Sequence, residues 1–317
     1  MTGPLESPPV LLLTFNRPGL ARRALARIRE AQPKQLFIAA DGPRDGHPDD
    51  VALCAEGRRL VEEVDWHCAV QTLFRDRNLG CKRAVSGAIT WFFDHVEEGI
   101  VLEDDCVADP SFFPFCAELL ERHREDDRIA IISGDNFQRE CQSSRNSYYF
   151  SIYPHIWGWA TWRRAWSHFD GDLSLWPELR DTRWLEHLLG DKLVADYWRG
   201  IFDQGHAGQI DSWAYPWTFS CWSQHQLSIL PRVNLVSNVG FDERGTHTRN
   251  TVSANAARGT REVAFPLRHP RAVVRDYDAD AYTAESHFGI RPPEAGWRRA
   301  VRRVRRGLGR RLPMGGR

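Results

Sequence analysis

Short apolar runs alternate with helical stretches through the first 135 residues, and this alternation restricts the chain to few architectures. Val10–Leu13, Leu36–Ala40, Ala69–Phe74, Ile100–Leu102 and Ile129–Ile132 read as buried strands. Asn16-Arg17-Pro18 stops the first strand and starts a helix running to about Ala31. Further helices are predicted over Pro48–Val64, Gly80–His95 and Phe112–Arg124. Strands and helices alternating at this spacing imply an α/β fold, with a mostly parallel sheet flanked by helices on both faces.

The second half changes character. Ten of the thirteen tryptophans fall between Trp157 and Trp222, in what reads as a mixed helix-and-loop region. Core packing explains many of them. Their density also fits an apolar platform for sugar rings, since an indole offers a flat face and one N–H donor. Ile229–Val239 looks like a strand or strand pair, and Gly240–Arg261 is polar and loop-rich.

Composition narrows the function classes. At 317 residues with 42% apolar and 26% charged side chains, the chain carries enough for a large core, and wholesale disorder is excluded. A net charge of zero argues against a protein that coats nucleic acid. The total hides an asymmetry, because Arg291–Arg317 holds ten arginines and one acid, Glu294. The seven cysteines are scattered without metal-ligand spacing and read as reduced thiols. The opening MTGPLESPP shows no signal-peptide pattern, and no stretch approaches a membrane span. A cytoplasmic location is the expectation.

In open α/β sheets, ligands bind beyond the carboxyl ends of the strands. Those ends here carry Thr14-Phe15-Asn16-Arg17, then Asp41, then Arg75 to Asn78, and finally Glu103-Asp104-Asp105. Three adjacent carboxylates after an apolar strand repel one another unless something positive binds. Mg²⁺ or Mn²⁺ is the natural partner, held by one or two carboxylates with substrate phosphates completing its shell. The alternative is a solvated acidic turn with Asp109 capping the next helix.

With these residues in view, the chain resembles the GT-A-fold glycosyltransferases of the nucleotide-diphospho-sugar transferase superfamily. VLLLTFNRP (residues 10–18) looks like their opening strand and nucleotide loop, Asp41-Gly42 like the acid that meets the nucleotide's base, and Asn78-Leu79-Gly80 with Lys82-Arg83 like their third loop. Glu103-Asp104-Asp105 is similar to their acidic metal motif, in the form seen in the N-acetylglucosaminyltransferase I group. The resemblance implies a Rossmann-like GT-A domain over residues 1–250, with a nucleotide-sugar half (8–135) and an acceptor half (136–250). It implies donor contacts from Thr14, Asn16, Arg17, Asp41, Asn78, Arg83, Glu103 and Asp104, and metal contacts from Asp105 and the late His247. Asp211 is the implied general base of an inverting transfer, although capping a helix is the plainer role for such a residue. Asp135, Trp157, Trp159 and Trp213 are implied near the donor sugar or acceptor. His155, ahead of Trp157-Gly158-Trp159, has a weaker claim.

Beyond a C-terminal extension (251–290), the 291–317 tail is basic. Ala300, Val301, Val304, Leu308 and Leu312 recur at helical spacing with arginines between them. This pattern over 297–312 fits an interfacial helix on anionic lipid, on the inner face of the plasma membrane; the alternatives are a disordered tail or incidental nucleic-acid binding. The partners implied are a nucleotide-sugar donor and a glycan or lipid-linked acceptor, with no specific nucleic acid. A sugar nucleotidyltransferase would open with a Gly-rich basic loop, and a dinucleotide dehydrogenase with GxGxxG; residues 10–18 have neither. A non-catalytic carbohydrate-binding protein is the competing class.

Overall fold

The computed structural model describes residues 6–138, 145–241 and 258–291. His247 and the basic stretch 297–312 lie outside the described residues. Among the described residues ten strands form: β1 (Val10–Thr14), β2 (Gln35–Ala40), β3 (Ala69–Phe74), β4 (Glu98–Glu103), β5 (Cys106–Ala108), β6 (Ile129–Ser133), β7 (Tyr148–Ser151), β8 (Trp159–Trp162), β9 (Leu227–Pro231) and β10 (Val236–Asn238). The helices are α1 (Pro18–Ala31), α2 (Pro48–Arg58), α3 (Gly80–His95) and α4 (Phe112–Arg122) in the first half. Then come α5 (Arg163–Trp166), α6 (Trp176–Leu179), α7 (Trp184–Leu189), α8 (Lys192–His206), α9 (Ala214–Ser223) and α10 (Tyr277–Ser286).

Eight strands make one sheet in the order β3-β2-β1-β4-β8-β6-β9-β7. The parallel block β3-β2-β1-β4 is the part the apolar runs predict. Past β4 the sheet is mixed: β8 pairs antiparallel with both β4 and β6, and β7 runs antiparallel to β9. β5 and β10 form a separate antiparallel pair, which carries residues 236–239 onto the acidic turn.

Strand residues alternate between two cores. Val10, Leu12, Leu36, Ile38, Ile100 and Leu102 face α1 and α4. Leu11, Leu13, Phe37, Ala39 and Val101 face α3 and the tryptophan-rich helices. Burial on both sides is why these strands read as continuous apolar runs. α1 begins at Pro18, where a missing N–H breaks no helical bond, and lays Ala21, Ala24, Leu25 and Ile28 on the sheet. Burying Leu25 and Ile28 contributes about 1.5–3 kcal/mol each. The second predicted helix stops short: α2 ends at Arg58 and tightens into a 3₁₀ turn over Arg59–Glu63.

Most tryptophans are core. Trp159, Trp162, Trp166, Trp176, Trp198, Trp213, Trp217 and Trp222 are all buried. Trp159 is 1% exposed, stacked on Trp213 at 5.6 Å and packed against Trp166 and Trp217. Its position in β8, with both sheet faces covered, removes it from the sugar platform that the sequence suggests. Among the described residues, no helix is long and apolar enough to cross a membrane. The described cysteines are free thiols.

Candidate active site

Because β1 to β4 run parallel, their carboxyl ends share one edge. Thr14, Asp41, Arg75 and Glu103 stand there and line a cavity of about 590 Å³. Arg17, Asn78, Asp104 and Asp105 line it too, with Arg44 from the loop after β2. The wall is closed elsewhere by Asp135, Trp157, Asp211 and Trp213. Arg83 is exposed on α3 and does not line the cavity, so the sequence-based donor contact at this position has no counterpart in the cavity lining.

The acidic turn is electrostatically loaded. Burial, then the neighbouring Asp105 and Asp104 charges, push Glu103 up to about 8. Burial also raises Asp105, against the pull of Arg17. Arg17 Nη1 donates to Asp105 Oδ2 at 3.2 Å, while Asn238 Nδ2 donates to Oδ1 at 3.3 Å. The backbone N–H of Phe15 donates to Asp104 Oδ2 at 3.4 Å. The chain passes directly over this pair: a Cβ on Gly240 would lie 2.0 Å from Asp105 Oδ2 and 2.7 Å from Arg17 Nη1. Only glycine allows that approach.

Two polar networks shape the strand-end side of the cavity. Asp41 accepts from Gly42 N and Leu79 N through Oδ1, and from Asn78 Nδ2 through Oδ2, at 2.9–3.0 Å. It thereby fixes the Asn78–Gly80 turn, even though burial raises its affinity for a proton. Asn16 Nδ2 donates to Asp50 Oδ1 at 2.7 Å, and Arg44 grips both Asp50 oxygens. The Arg44 guanidinium holds Asp50 well below the usual carboxylate range. Asp50 and Arg44 carry no motif, and only a buried acid inside a helix's first turn hints at them.

Asp211 does not cap its own helix. Its carboxylate accepts from Cys81 N at 3.1 Å and Lys82 N at 2.9 Å, at the open N-terminus of α3. It joins the loop before α9 to the turn between β3 and α3 while still lining the cavity.

The far end is aromatic. Phe137, His155, Trp157, Trp198, Tyr215 and His287 line it, the last from the segment after α10. Phe137 stacks on His287 at 4.4 Å and meets Trp157 edge-on at 5.0 Å. Asp135 is wholly buried; Oδ2 accepts from Trp157 N at 2.9 Å, and Oδ1 has no partner among the described residues. Nε2 of the buried His155 likewise has none among them. Burial raises Asp135 well above the usual carboxylate range and lowers His155 well below the imidazole range. His287 and Phe288, far along the extension, also reach this wall, and no local pattern marks either of them.

Among the described residues, no three His, Cys, Asp or Glu side chains gather into a metal cage. The acidic turn still suits a hard cation: its donors are carboxylate oxygens, and buried mutual repulsion, eased by Arg17, favours added positive charge. Such an ion needs only one or two of these carboxylates when phosphate oxygens supply the rest.

No protein-family model matches the chain, and no curated protein matches it. Among solved structures it is similar to HddC from Yersinia pseudotuberculosis at 10% identity and TM-score 0.31, covering 50% of this chain and 77% of that one. It is similar to the inositol-1-phosphate CTP transferase from T. maritima at 8% identity and TM-score 0.29, covering 53% and 74%. A UDP-glucose pyrophosphorylase complexed with UDP-glucose gives 11% identity and TM-score 0.30, covering 51% and 78%.

Proposed function

We propose that the chain is a metal-dependent glycosyltransferase that takes a sugar from a nucleotide-diphosphate donor, UDP-sugars being favoured, and transfers it to a hydroxyl of a glycan or lipid-linked glycan. One observation carries this reading. The parallel strands β1 to β4 deliver an acidic triplet, three arginines and the polar nucleotide-loop groups to one cavity whose other end is aromatic. A charged end and an aromatic end in one cavity suit a ligand that is anionic at one end and ring-like at the other.

In this reading Arg17, Arg44 and Arg75 face the phosphates, and Asn16, Asp41 and Asn78 orient the nucleoside. Asp105, with His247, would hold Mn²⁺ or Mg²⁺, whose charge would support departure of the diphosphate, while Asp104 would contact the donor. Asp211 acts as the general base. It takes the proton of the acceptor hydroxyl while that oxygen bonds to the anomeric carbon and the carbon–phosphate oxygen bond breaks, with inversion. The basic 297–312 stretch would hold the enzyme at an anionic membrane surface, on the cytoplasmic side. Co-sedimentation with anionic liposomes, comparing the full chain with one ending at Pro293, tests that last point.

A second reading, a non-catalytic sugar-nucleotide-binding protein, is favoured by the commitment of Asp211 to the α3 N-terminus. Calorimetry with UDP and Mn²⁺ on wild type and Asp105→Ala tests the shared premise. Metal-dependent UDP binding that survives loss of Asp105 contradicts the assignment. Release of UDP from a UDP-sugar in the presence of acceptor separates enzyme from binding protein.

A further inference from the structure

Asp50 stands outside the cavity but holds two of the residues that line it, Asn16 and Arg44. Its carboxylate is 3% exposed and accepts from Arg44 N at 3.2 Å, Arg44 Nε at 2.7 Å, Arg44 Nη2 at 3.0 Å and Asn16 Nδ2 at 2.7 Å. The Arg44 hydrogen bonds keep that carboxylate ionised against its burial. Its helix is fixed in turn. Cys54 and Gly57 of α2 are buried, and a Cβ added to Gly57 would meet Phe15 O and Thr14 Oγ1 at 3.5 Å. The carboxylate therefore has a set place beside the end of β1.

Asp50 also decides which atoms its partners offer. An ionised carboxylate only accepts, so Asn16 turns its NH₂ toward Asp50 and keeps Oδ1 as an acceptor. Arg44 commits Nε and Nη2 to the grip and keeps Nη1 as a donor, with its guanidinium over the Phe15 ring at 5.4 Å. Neither Arg44 Nη1 nor Asn16 Oδ1 has a partner among the described residues.

We propose that Asp50 is a positioning residue: touching no substrate, it locks Arg44 Nη1 as a donor for the phosphates and Asn16 Oδ1 as an acceptor for the nucleoside. The proposal rests on the nucleotide-sugar reading and adds to it a residue from outside the cavity. The Arg44 side chain is 44% exposed, so without Asp50 it samples many rotamers, and binding has to reorder it. A carboxylate that merely cancelled the charge of Arg44 would act with the opposite sign. Its loss would remove a negative charge near the diphosphate and tighten binding.

Calorimetry on the full chain tests this with UDP and with inorganic pyrophosphate, each with Mg²⁺, and melting temperatures report folding. Asp50→Asn should weaken UDP binding about 3- to 10-fold, the cost of reordering a long side chain on binding. Arg44→Lys keeps the charge but cannot grip both carboxylate oxygens, and it should lose as much. It changes an exposed side chain, so it reads the proposal even where Asp50→Asn fails to fold. In an Arg44→Met background, Asp50→Asn should move UDP affinity by less than about twofold, since Asp50 acts mainly through Arg44. Unchanged or tighter UDP binding by folded Asp50→Asn overturns the proposal, as does wild-type affinity in Arg44→Lys. A full Asp50→Asn loss in the Arg44→Met background overturns it too. Pyrophosphate bound as tightly as UDP, with the same losses in the variants, keeps the positioning role and removes the nucleoside from the reading. Wild type that binds neither ligand overturns both.

Discussion

Arg17 holds Asp105 at 3.2 Å, with both side chains nearly buried and Gly240 pressed over them. A guanidinium so placed occupies the ground a divalent cation would take, and faces the same cavity as the proposed diphosphate. Replacing Arg17 with Met keeps the stem and removes the charge. Mn²⁺ affinity without nucleotide should then rise several-fold, because the competing cation is gone. UDP affinity with Mn²⁺ should fall about 10- to 100-fold, since a charge-assisted hydrogen bond is worth roughly 1.5–3 kcal/mol. Calorimetry of each ligand separately checks both; unchanged Mn²⁺ binding would mean that Arg17 is not holding the cation's place.

Asp211 has a structural job at α3, so its two roles must be separated. Gly80 shows how closely it is held: it sits at φ +79°, and a Cβ there would lie 2.9 Å from Asp211 Oδ2. Asp211→Asn keeps one carbonyl acceptor for the two α3 N–H groups, sets its NH₂ against the other, and cannot take a proton. Stability should fall by about 1 kcal/mol or less while kcat falls at least 100-fold. Asp211→Ala should lose activity to the same degree and add about 0.5–2 kcal/mol of destabilisation. Denaturant unfolding and UDP-release kinetics on both variants read the split. An Asn variant that keeps wild-type kcat returns Asp211 to a purely structural role.

The parallel block was legible because β1, β2 and β4 are buried on both sides and read as unbroken apolar runs. Their carboxyl ends could then be placed together from topology alone, which brought Thr14, Asp41 and Glu103 into view. β8 was hidden, since Trp159–Trp162 is too short to show a period and its tryptophans suit a helix or loop equally. The antiparallel insertion went with it, and so did the burial of Trp159. Long-range contributions left no local trace either: Asp50 reaches Asn16 across 34 residues, and His287 stacks on Phe137 from the far end of the chain.

Glu103 predicts how stability and metal binding depend on pH. Its folded value of about 8 lies above the ordinary 4.5, with burial as the main cause and the Asp105 and Asp104 charges next. The stabilisation is therefore complete below pH 4.5 and is lost as pH rises through 8, where folding forces an unwelcome charge. The metal-free protein should lose melting temperature between pH 5.5 and 8.5, and Glu103→Gln should flatten that decline. Mn²⁺ should raise the melting temperature more at pH 8.5 than at 5.5 in wild type. A cation effect independent of pH in wild type, or a slope that survives Glu103→Gln, removes Glu103 as its origin.

On the acid side the aromatic end dominates. Burial pushes His287 down to about 4 from 6.5, and His155 well below 6.5, burial again leading and the His287 charge second. Both are neutral in the fold, so their stabilisation is present above pH 6.5 and lost as pH falls toward the folded values. For His287 the full effect is on the order of 3 kcal/mol, at about 1.4 kcal/mol per unit. Carboxylates titrate in the same range, so the informative quantity is the difference between wild type and His287→Phe, which keeps the ring stacked on Phe137. Denaturant unfolding at pH 7.5 and 4.5 should show the variant losing less stability than wild type over that interval. Equal losses would mean that His287 enters the fold already able to take its proton at no cost, contrary to its half-buried place against Phe137 and Trp157.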